Sequence, residues 1–149
     1  MRIFFDVDYT ILSIDYKIRS GVRDVWERLI ADGHEIHVWS GEGKRYQVLR
    51  DHGLEDLVTG VYHKPIFDYV KRLEVMGVPH VPDFVIDDYP EIVRIFGGFQ
   101  VRDFYRSADD DDEMEHVYRT ISEWAETGES SHERWRPRHP QLDTMLAAD

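Results

Sequence analysis

The chain has 149 residues, of which 42% are apolar, so we expect one folded domain with a buried core. Its formal net charge of −12 argues against general affinity for nucleic acids or anionic membranes, which depends on clustered lysine and arginine. The absence of cysteine excludes disulfides and thiolate chemistry, and with no visible secretory signal or membrane-spanning run we expect a cytoplasmic protein.

The first predicted element is a buried strand that leads into two carboxylates. Ile3, Phe4 and Phe5 show no polar alternation, which is typical of a central parallel strand. Asp6 and Asp8 follow, and side chains two residues apart at a strand end point to the same side. The pair would therefore face one cleft and repel unless a cation or proton lay between them, although aspartate is also common where a strand turns.

Helical and extended patterns then alternate along most of the chain. Strands separated by helices of about ten residues indicate parallel pairing with helices on both faces. We therefore predict an α/β fold, a Rossmann-like three-layer sandwich with about five parallel strands. After the first strand, the predicted elements are a small flap (9–20), a helix (20–30), a strand (35–39), a helix (44–52), a strand (57–62), a helix beginning at Pro65, a strand (84–86), a helix (90–96) and a strand (99–101).

The last third of the chain has a different character. An acidic run over 109–113 lacks the glycine and final glutamate of an EF-hand loop, and we interpret it as the solvated start of a helix with an apolar face. We place the domain at 1–127 and expect 128–149 to be a polar tail that is poorly ordered or folds only against a partner. Its basic residues either contact a phosphate backbone or pair with the chain's own acidic surface; they are Arg134, Arg136 and Arg138, beside Trp135.

Reactive side chains collect where the predicted strands end. In an open α/β sheet these carboxyl ends form one rim, where ligands bind. Asp6 and Asp8 follow the first strand, Ser40 and Gly41 the second, His63 and Lys64 the third, and Asp87 and Asp88 the fourth.

The chemistry of this rim indicates phosphoryl transfer. Four carboxylates would repel one another unless a hard cation lay among them, and carboxylate oxygens are ligands that Mg²⁺ prefers. A lysine and a serine opposite them suit the oxygens of a phosphoryl group. The residues therefore predict a magnesium-dependent site for a phosphorylated substrate.

In their order, these segments resemble the four motifs of the haloacid dehalogenase superfamily of phosphohydrolases. Asp6–Thr10 matches the Asp-x-Asp-x-Thr signature, Val38–Gly41 the second motif, Lys64 the third and Val85–Asp88 the acidic fourth. The resemblance covers roughly residues 2–102. Each motif alone is weakly specific, whereas four in order with matching strand context are much more so.

The resemblance implies a role for each catalytic residue. Asp6 would be the nucleophile that forms an aspartyl-phosphate, and Asp8 would be the general acid and then the general base. Ser40, Gly41 and Lys64 would bind the phosphoryl oxygens.

The resemblance also implies how Mg²⁺ would be held. Asp6 and Asp87 would be ligands, together with the backbone carbonyl of Asp8, and Asp88 would bind a metal-bound water or Lys64. Thr10 would be a structural hydroxyl that secures the turn.

The spacing between motifs resembles that of capless members of this superfamily. Between Thr10 and Ser40 there is room only for a flap and one helix, and between Ser40 and Lys64 only for one helix and one strand. Open sites of this kind usually serve large substrates, or are closed by a partner subunit or the C-terminus, which leaves an oligomer open. His63, Lys44 and Arg45 are candidates for further substrate contacts at the cleft mouth.

The substrate and two other classes of function stay open. We favour a nucleotide or a polynucleotide end, with a protein or sugar phosphate as the alternative. A receiver-like regulatory module has similar residues, but there the lysine comes last, whereas Lys64 precedes Asp87. A non-catalytic scaffold that binds through its C-terminal helix is the third interpretation.

Overall fold

A computed structural model describes residues 1–147 as an α/β fold built on one six-stranded sheet. The strands are β1 (Arg2–Asp6), β2 (Glu35–Ser40), β3 (Gly60–His63), β4 (Phe84–Asp87), β5 (Gly98–Gln100) and β6 (Trp135–Arg136). The helices are α1 (Val22–Ala31), α2 (Tyr46–Asp51), α3 (Arg72–Val75), α4 (Pro90–Phe96), α5 (Glu113–Thr127) and α6 (Leu142–Ala147). The spatial order is β3-β2-β1-β4-β5-β6, parallel except for β6, which confirms the predicted α/β class.

The first strand lies inside the sheet and is buried on both faces. It pairs in parallel with β2 on one side and β4 on the other. Ile3 and Phe5 pack on one face with α1, α2 and α5, whereas Phe4 packs on the opposite face with α3, α4 and α6. This two-sided burial explains why the strand has no polar alternation. It also places the end of β1 at the middle of the rim.

The helix predicted to begin at Pro65 begins later in the structure, so this prediction is wrong. Only Arg72–Val75 is helical, and the preceding residues form bends and turns in which Asp68 has a φ of 45°. Ile66 and Phe67, which the helical stripe placed in the core, are 64% and 54% exposed. The apolar periodicity predicts a helix wrongly here because Ile66 and Phe67 do not pack against the core.

A related difference concerns the third strand. Residues Glu55–Leu57 form a short 3-10 turn, so β3 begins at Gly60 instead of residue 57.

The structure of the segment after Gly128 also differs from the prediction of a poorly ordered tail. Trp135–Arg136 pairs antiparallel with β5 and adds a sixth strand to the five expected. Leu142 of α6 is fully buried, and Arg134 forms two hydrogen bonds of 2.6 Å with the buried Glu113. The expected poorly ordered tail is therefore packed through residue 147, because its apolar and basic residues complete the core and neutralise a buried acid; the expectation for Ala148 and Asp149 lies outside the described residues.

The predicted flap forms a tight hairpin between β1 and α1. Leu12 and Ile18 form a bridge, and the amide of Ser13 donates to the carbonyl of Lys17 at 2.9 Å. Ile11 and Leu12 are buried against the core, so the flap is anchored beside the end of β1. Across residues 1–147, the helices are too short or too polar to span a membrane.

Candidate active site

The parallel strands bring the predicted site residues together at one rim. Asp6, Ser40 and Asp87 are the last residues of β1, β2 and β4, and Lys64 follows β3. The amide of Lys64 donates to the carbonyl of Ser40 at 2.8 Å, which continues the pairing of β2 and β3. Sheet register therefore sets the relative positions of these four residues.

Lys64 lies between two carboxylates. Its Nζ atom is 3.0 Å from Asp6 Oδ1 and 3.0 Å from Asp87 Oδ2. Burial alone would lower the pKa of Lys64, but the negative charges of Asp87 and Asp6 outweigh it and raise the pKa above its ordinary value. The ammonium therefore stays charged at the centre of the site.

Three of the four predicted carboxylates form a compact cluster. Asp6, Asp87 and Asp88 each offer an oxygen, and these oxygens lie within 4.8 Å of one another. Asp6 and Asp87 are 4% and 0% exposed, so their charges have little solvent to screen them. All donors are oxygens, a set that fits Mg²⁺.

The cluster carries more negative charge than Lys64 offsets. Burial, with the nearby charge of Asp87, raises the pKa of Asp6 from 3.8 to about 7. Burial also raises the pKa values of Asp87 and Asp88 to about 6, and the charge of Asp6 adds to the shift of Asp88. Protons, or a divalent cation, are therefore favoured here.

Asp8 has a different environment from Asp6. Its side chain is 28% exposed, and it accepts hydrogen bonds from Ser40 Oγ at 3.1 Å and from Arg45 Nη2 at 3.0 Å. Among residues 1–147, the cluster of carboxylate oxygens consists of Asp6, Asp87 and Asp88, and it does not include the Asp8 carboxylate. A metal contact through the backbone carbonyl of Asp8 stays a prediction.

Two further side chains form hydrogen bonds with the aspartates of the first motif. Thr10, predicted to secure the turn, is fully buried and donates to Asp6 Oδ2 at 3.0 Å, with Asp88 Oδ1 at 3.4 Å. Arg45, a candidate for a substrate contact, donates to Asp8 Oδ1 at 3.0 Å, and its contact with substrate stays a prediction. The spacing of Thr10 after Asp6 could have indicated the first contact, whereas nothing in the local pattern around Arg45 indicates the second.

The remaining predicted residues lie near the ends of β2 and β3. A Cβ atom at Gly41 would lie 2.9 Å from the side chain of Ile66, so a larger residue at this position would displace that neighbour. His63 Nε2 is 3.1 Å from the carbonyl oxygen of Gly41. Lys44 is exposed.

Comparison with family models, curated proteins and solved structures gives no match. The interpretation of the site therefore depends on its own residues and geometry.

Proposed function

We propose that this protein is a magnesium-dependent phosphatase that hydrolyses a phosphomonoester through an aspartyl-phosphate on Asp6, with a Rossmann-like sandwich of the haloacid dehalogenase type. One observation carries the proposal. Two aspartates two residues apart lie in different environments, Asp6 buried against Lys64 and Asp8 partly exposed beside Ser40. This asymmetry suits a nucleophile and a separate proton carrier.

The first step is attack of an Asp6 carboxylate oxygen on phosphorus. A P–O bond to Asp6 forms while the bond to the leaving oxygen breaks, and that oxygen takes a proton from Asp8. Lys64 and Thr10 orient the Asp6 carboxylate by hydrogen bonds of 3.0 Å each. Because a hydroxyl donates only one hydrogen bond, Ser40 would transfer its donor from Asp8 to a phosphoryl oxygen when substrate binds.

The second step regenerates the enzyme. Asp8, now deprotonated, takes a proton from water as the water oxygen attacks phosphorus and the bond to Asp6 breaks. Inorganic phosphate is released and Asp8 is again protonated. Asp6, Asp87 and Asp88 would hold Mg²⁺, which when bound supplies positive charge that offsets the phosphoryl oxygens.

The direct test is release of phosphate from p-nitrophenyl phosphate. We expect turnover that requires Mg²⁺ and falls by at least about a thousandfold in Asp6→Asn, because a carboxamide cannot replace the nucleophile. Asp24→Asn is a matched control, since the Asp24 side chain lies on the exposed face of α1 and forms its hydrogen bond with Arg28. Full activity in Asp6→Asn would refute the mechanism, and stable phosphorylation by acetyl phosphate without turnover would favour a receiver-like module.

Metal binding can be tested without turnover. A ligand that binds only the folded state raises its melting temperature, so we expect Mg²⁺ to stabilise the wild type. The same addition should have little effect on Asp87→Asn, which lacks one of the clustered oxygens. Equal stabilisation of both proteins would place the bound cation elsewhere.

A further inference from the structure

Two tyrosine rings lie beside the site, and the proposed steps do not use them. Tyr9 directly follows Asp8, and its ring centroid is 5.0 Å from that of Tyr105, with the planes inclined by 54°. Tyr9 is 37% exposed and Tyr105 54% exposed. Asp103 and also Asp88 raise the pKa of the Tyr105 phenol, so this ring lies within electrostatic reach of the carboxylate cluster. The two exposed rings are thus next to Asp8 in the chain and near the charge of Asp88.

The backbone holds both rings in place. Tyr9 has a φ of 64°, a left-handed conformation that is uncommon for an aromatic residue and is often found at functional sites. Its amide donates to the carbonyl of Leu12 at 2.8 Å, and its own carbonyl accepts a hydrogen bond from the Phe104 amide at 2.9 Å. The amide of Ile14 donates to the Tyr105 carbonyl at 3.0 Å. The last two of these bonds join the flap to residues 104 and 105.

A buried arginine reinforces this junction. The Arg19 side chain is 2% exposed, and its Nε atom contacts both carboxylate oxygens of Asp111 at 3.1 and 2.9 Å. Its Nη1 atom donates to the carbonyl of Thr10 at 3.0 Å, and its guanidinium lies 4.9 Å from the ring centroid of Phe104. The flap and the segment that carries Tyr105 are thus fixed to each other before any ligand binds.

The charge around the rings limits what they can contact. Asp103 and Asp88 lie near Tyr105, and the chain as a whole has a net charge of −12. A leaving group with further phosphates would be repelled by these carboxylates. A neutral, flat group can instead stack on the rings.

We propose that Tyr9 and Tyr105 form a stacking platform for the base of a nucleoside monophosphate, so that the nucleoside is the preferred leaving group. This inference rests on the proposed phosphatase function and narrows its substrate class. Because the two ring planes are inclined by 54°, a base would stack on the face of one ring and meet the edge of the other. A polynucleotide end, which carries further phosphates, is a poorer substrate on the same argument.

The test compares adenosine 5′-monophosphate with ribose 5-phosphate, which has the same type of ester but no base. We expect kcat/KM to be about tenfold or more higher for the nucleotide in the wild type, the usual range for stacking of one base on an aromatic side chain. The ratio of the two values should fall to about 1 in Tyr105→Leu and stay near the wild-type ratio in Tyr105→Phe.

A control variant separates stacking from general damage. Tyr16 is also an exposed flap tyrosine, but its hydroxyl donates to Asp51 at 2.7 Å and its ring contacts His52 on the side of α2. Tyr16→Leu should therefore keep the wild-type ratio. A purely structural role for Tyr105 would lower both kcat/KM values equally and leave the ratio unchanged, which would overturn the proposal.

Failure of this inference can be told apart from failure of the proposed function. If p-nitrophenyl phosphate is not hydrolysed, the phosphatase function itself fails. If it is hydrolysed but the two test substrates are equal in the wild type, only the platform is refuted. A 5′-phosphorylated oligonucleotide or a phosphotyrosine peptide that exceeds the mononucleotide in kcat/KM would also refute it.

Discussion

At the scale of single residues, the main feature is that two identical side chains differ because of what surrounds them. Asp6 is buried between Lys64 and Thr10, whereas Asp8 is partly exposed and bound by Ser40 and Arg45. Burial raises the pKa of Asp6 to about 7. Substitutions of Asp6 and Asp8 should therefore have different effects on catalysis and on stability.

Replacement of Asp8 should depend on the leaving group. A general acid matters most when the departing oxygen is strongly basic, so Asp8→Asn should slow hydrolysis of an alkyl phosphate by about a hundred- to ten-thousandfold. The loss should be smaller for p-nitrophenyl phosphate, whose leaving group needs little protonation. Steady-state kcat/KM on both esters measures this difference, and an equal loss on both would argue against a general acid.

The charge on Asp6 should cost stability when no metal is present. Its folded-state pKa is raised from 3.8 to about 7, so between these values the folded state binds more protons than the unfolded chain and stability falls as pH rises. In a chelator, Asp6→Asn should be more stable than the wild type by about 1–2 kcal/mol at pH near 8. That gain should shrink towards about pH 5, where the wild-type carboxyl is protonated.

Urea unfolding across this pH range provides the measurement. Asp24→Asn, on the exposed face of α1, should show no such pH-dependent gain. A gain from Asp6→Asn that grows as pH falls would contradict the assigned direction of the pKa shift.

At the scale of elements, one ion pair joins the flap to the segment that precedes α5. Arg19 and Asp111 have side chains that are 2% and 11% exposed, which distinguishes them from the surface pairs of α1. A buried charge left without its partner is far more costly than an exposed one. The flap therefore depends on a residue distant in the sequence.

Loss of Arg19 should destabilise the fold strongly. Arg19→Ala leaves the Asp111 carboxylate without its cation, and we expect a loss of about 3 kcal/mol in the free energy of unfolding. The double variant with Asp111→Ala should recover part of that loss. Arg23→Ala is the matched control, because its pair with Glu27 is about half exposed, and it should cost under about 1 kcal/mol.

At the scale of the whole molecule, the segment after Gly128 belongs to the fold. It supplies β6 on the sheet edge, the buried Leu142 and the arginine that neutralises Glu113. These contacts extend from Arg134 to Leu142. They make it a structural part of the domain.

Truncation after Gly128 should therefore destabilise the protein. Removing Arg134 leaves the buried carboxylate of Glu113 without its cation, a change we expect to cost about 3 kcal/mol or more. Leu142→Ala alone should cost about 2–5 kcal/mol, because its side chain is fully buried, and the exposed Thr144→Ala serves as its control. Thermal melting that is unchanged by the truncation would show that the segment is dispensable.

Local patterns explain which parts of this fold could be predicted. The helix Pro90–Phe96 agrees with its prediction because a proline at its first turn and a glycine after its end reinforce an apolar stripe. The two-residue strand β6 has no periodicity to detect, and the stripe after Pro65 is only partly buried. Tertiary packing, and not a local pattern, determines the structure of both segments.

In the site, too, some features could be predicted from local patterns and others depend on tertiary packing. Asp6, Ser40, Lys64 and Asp87 could be placed at one rim because each ends or follows a strand of the predicted parallel sheet. The hold of Arg45 on Asp8 depends on the conformation of a loop, which short-range patterns do not encode. Residues whose positions follow from sheet register could therefore be placed from the sequence, whereas contacts that depend on loop conformation could not.

The pairing of β1 with β4 also sets the order in which this molecule can assemble. Ile3 lies opposite Phe84, so one neighbour of the first strand is synthesised only after β2 and β3. Non-local pairings of this kind slow folding, and a partly made chain exposes an unpaired strand edge. Until β4 arrives, a nascent chain holds Asp6 and Lys64 without Asp87, so the active site forms late in synthesis.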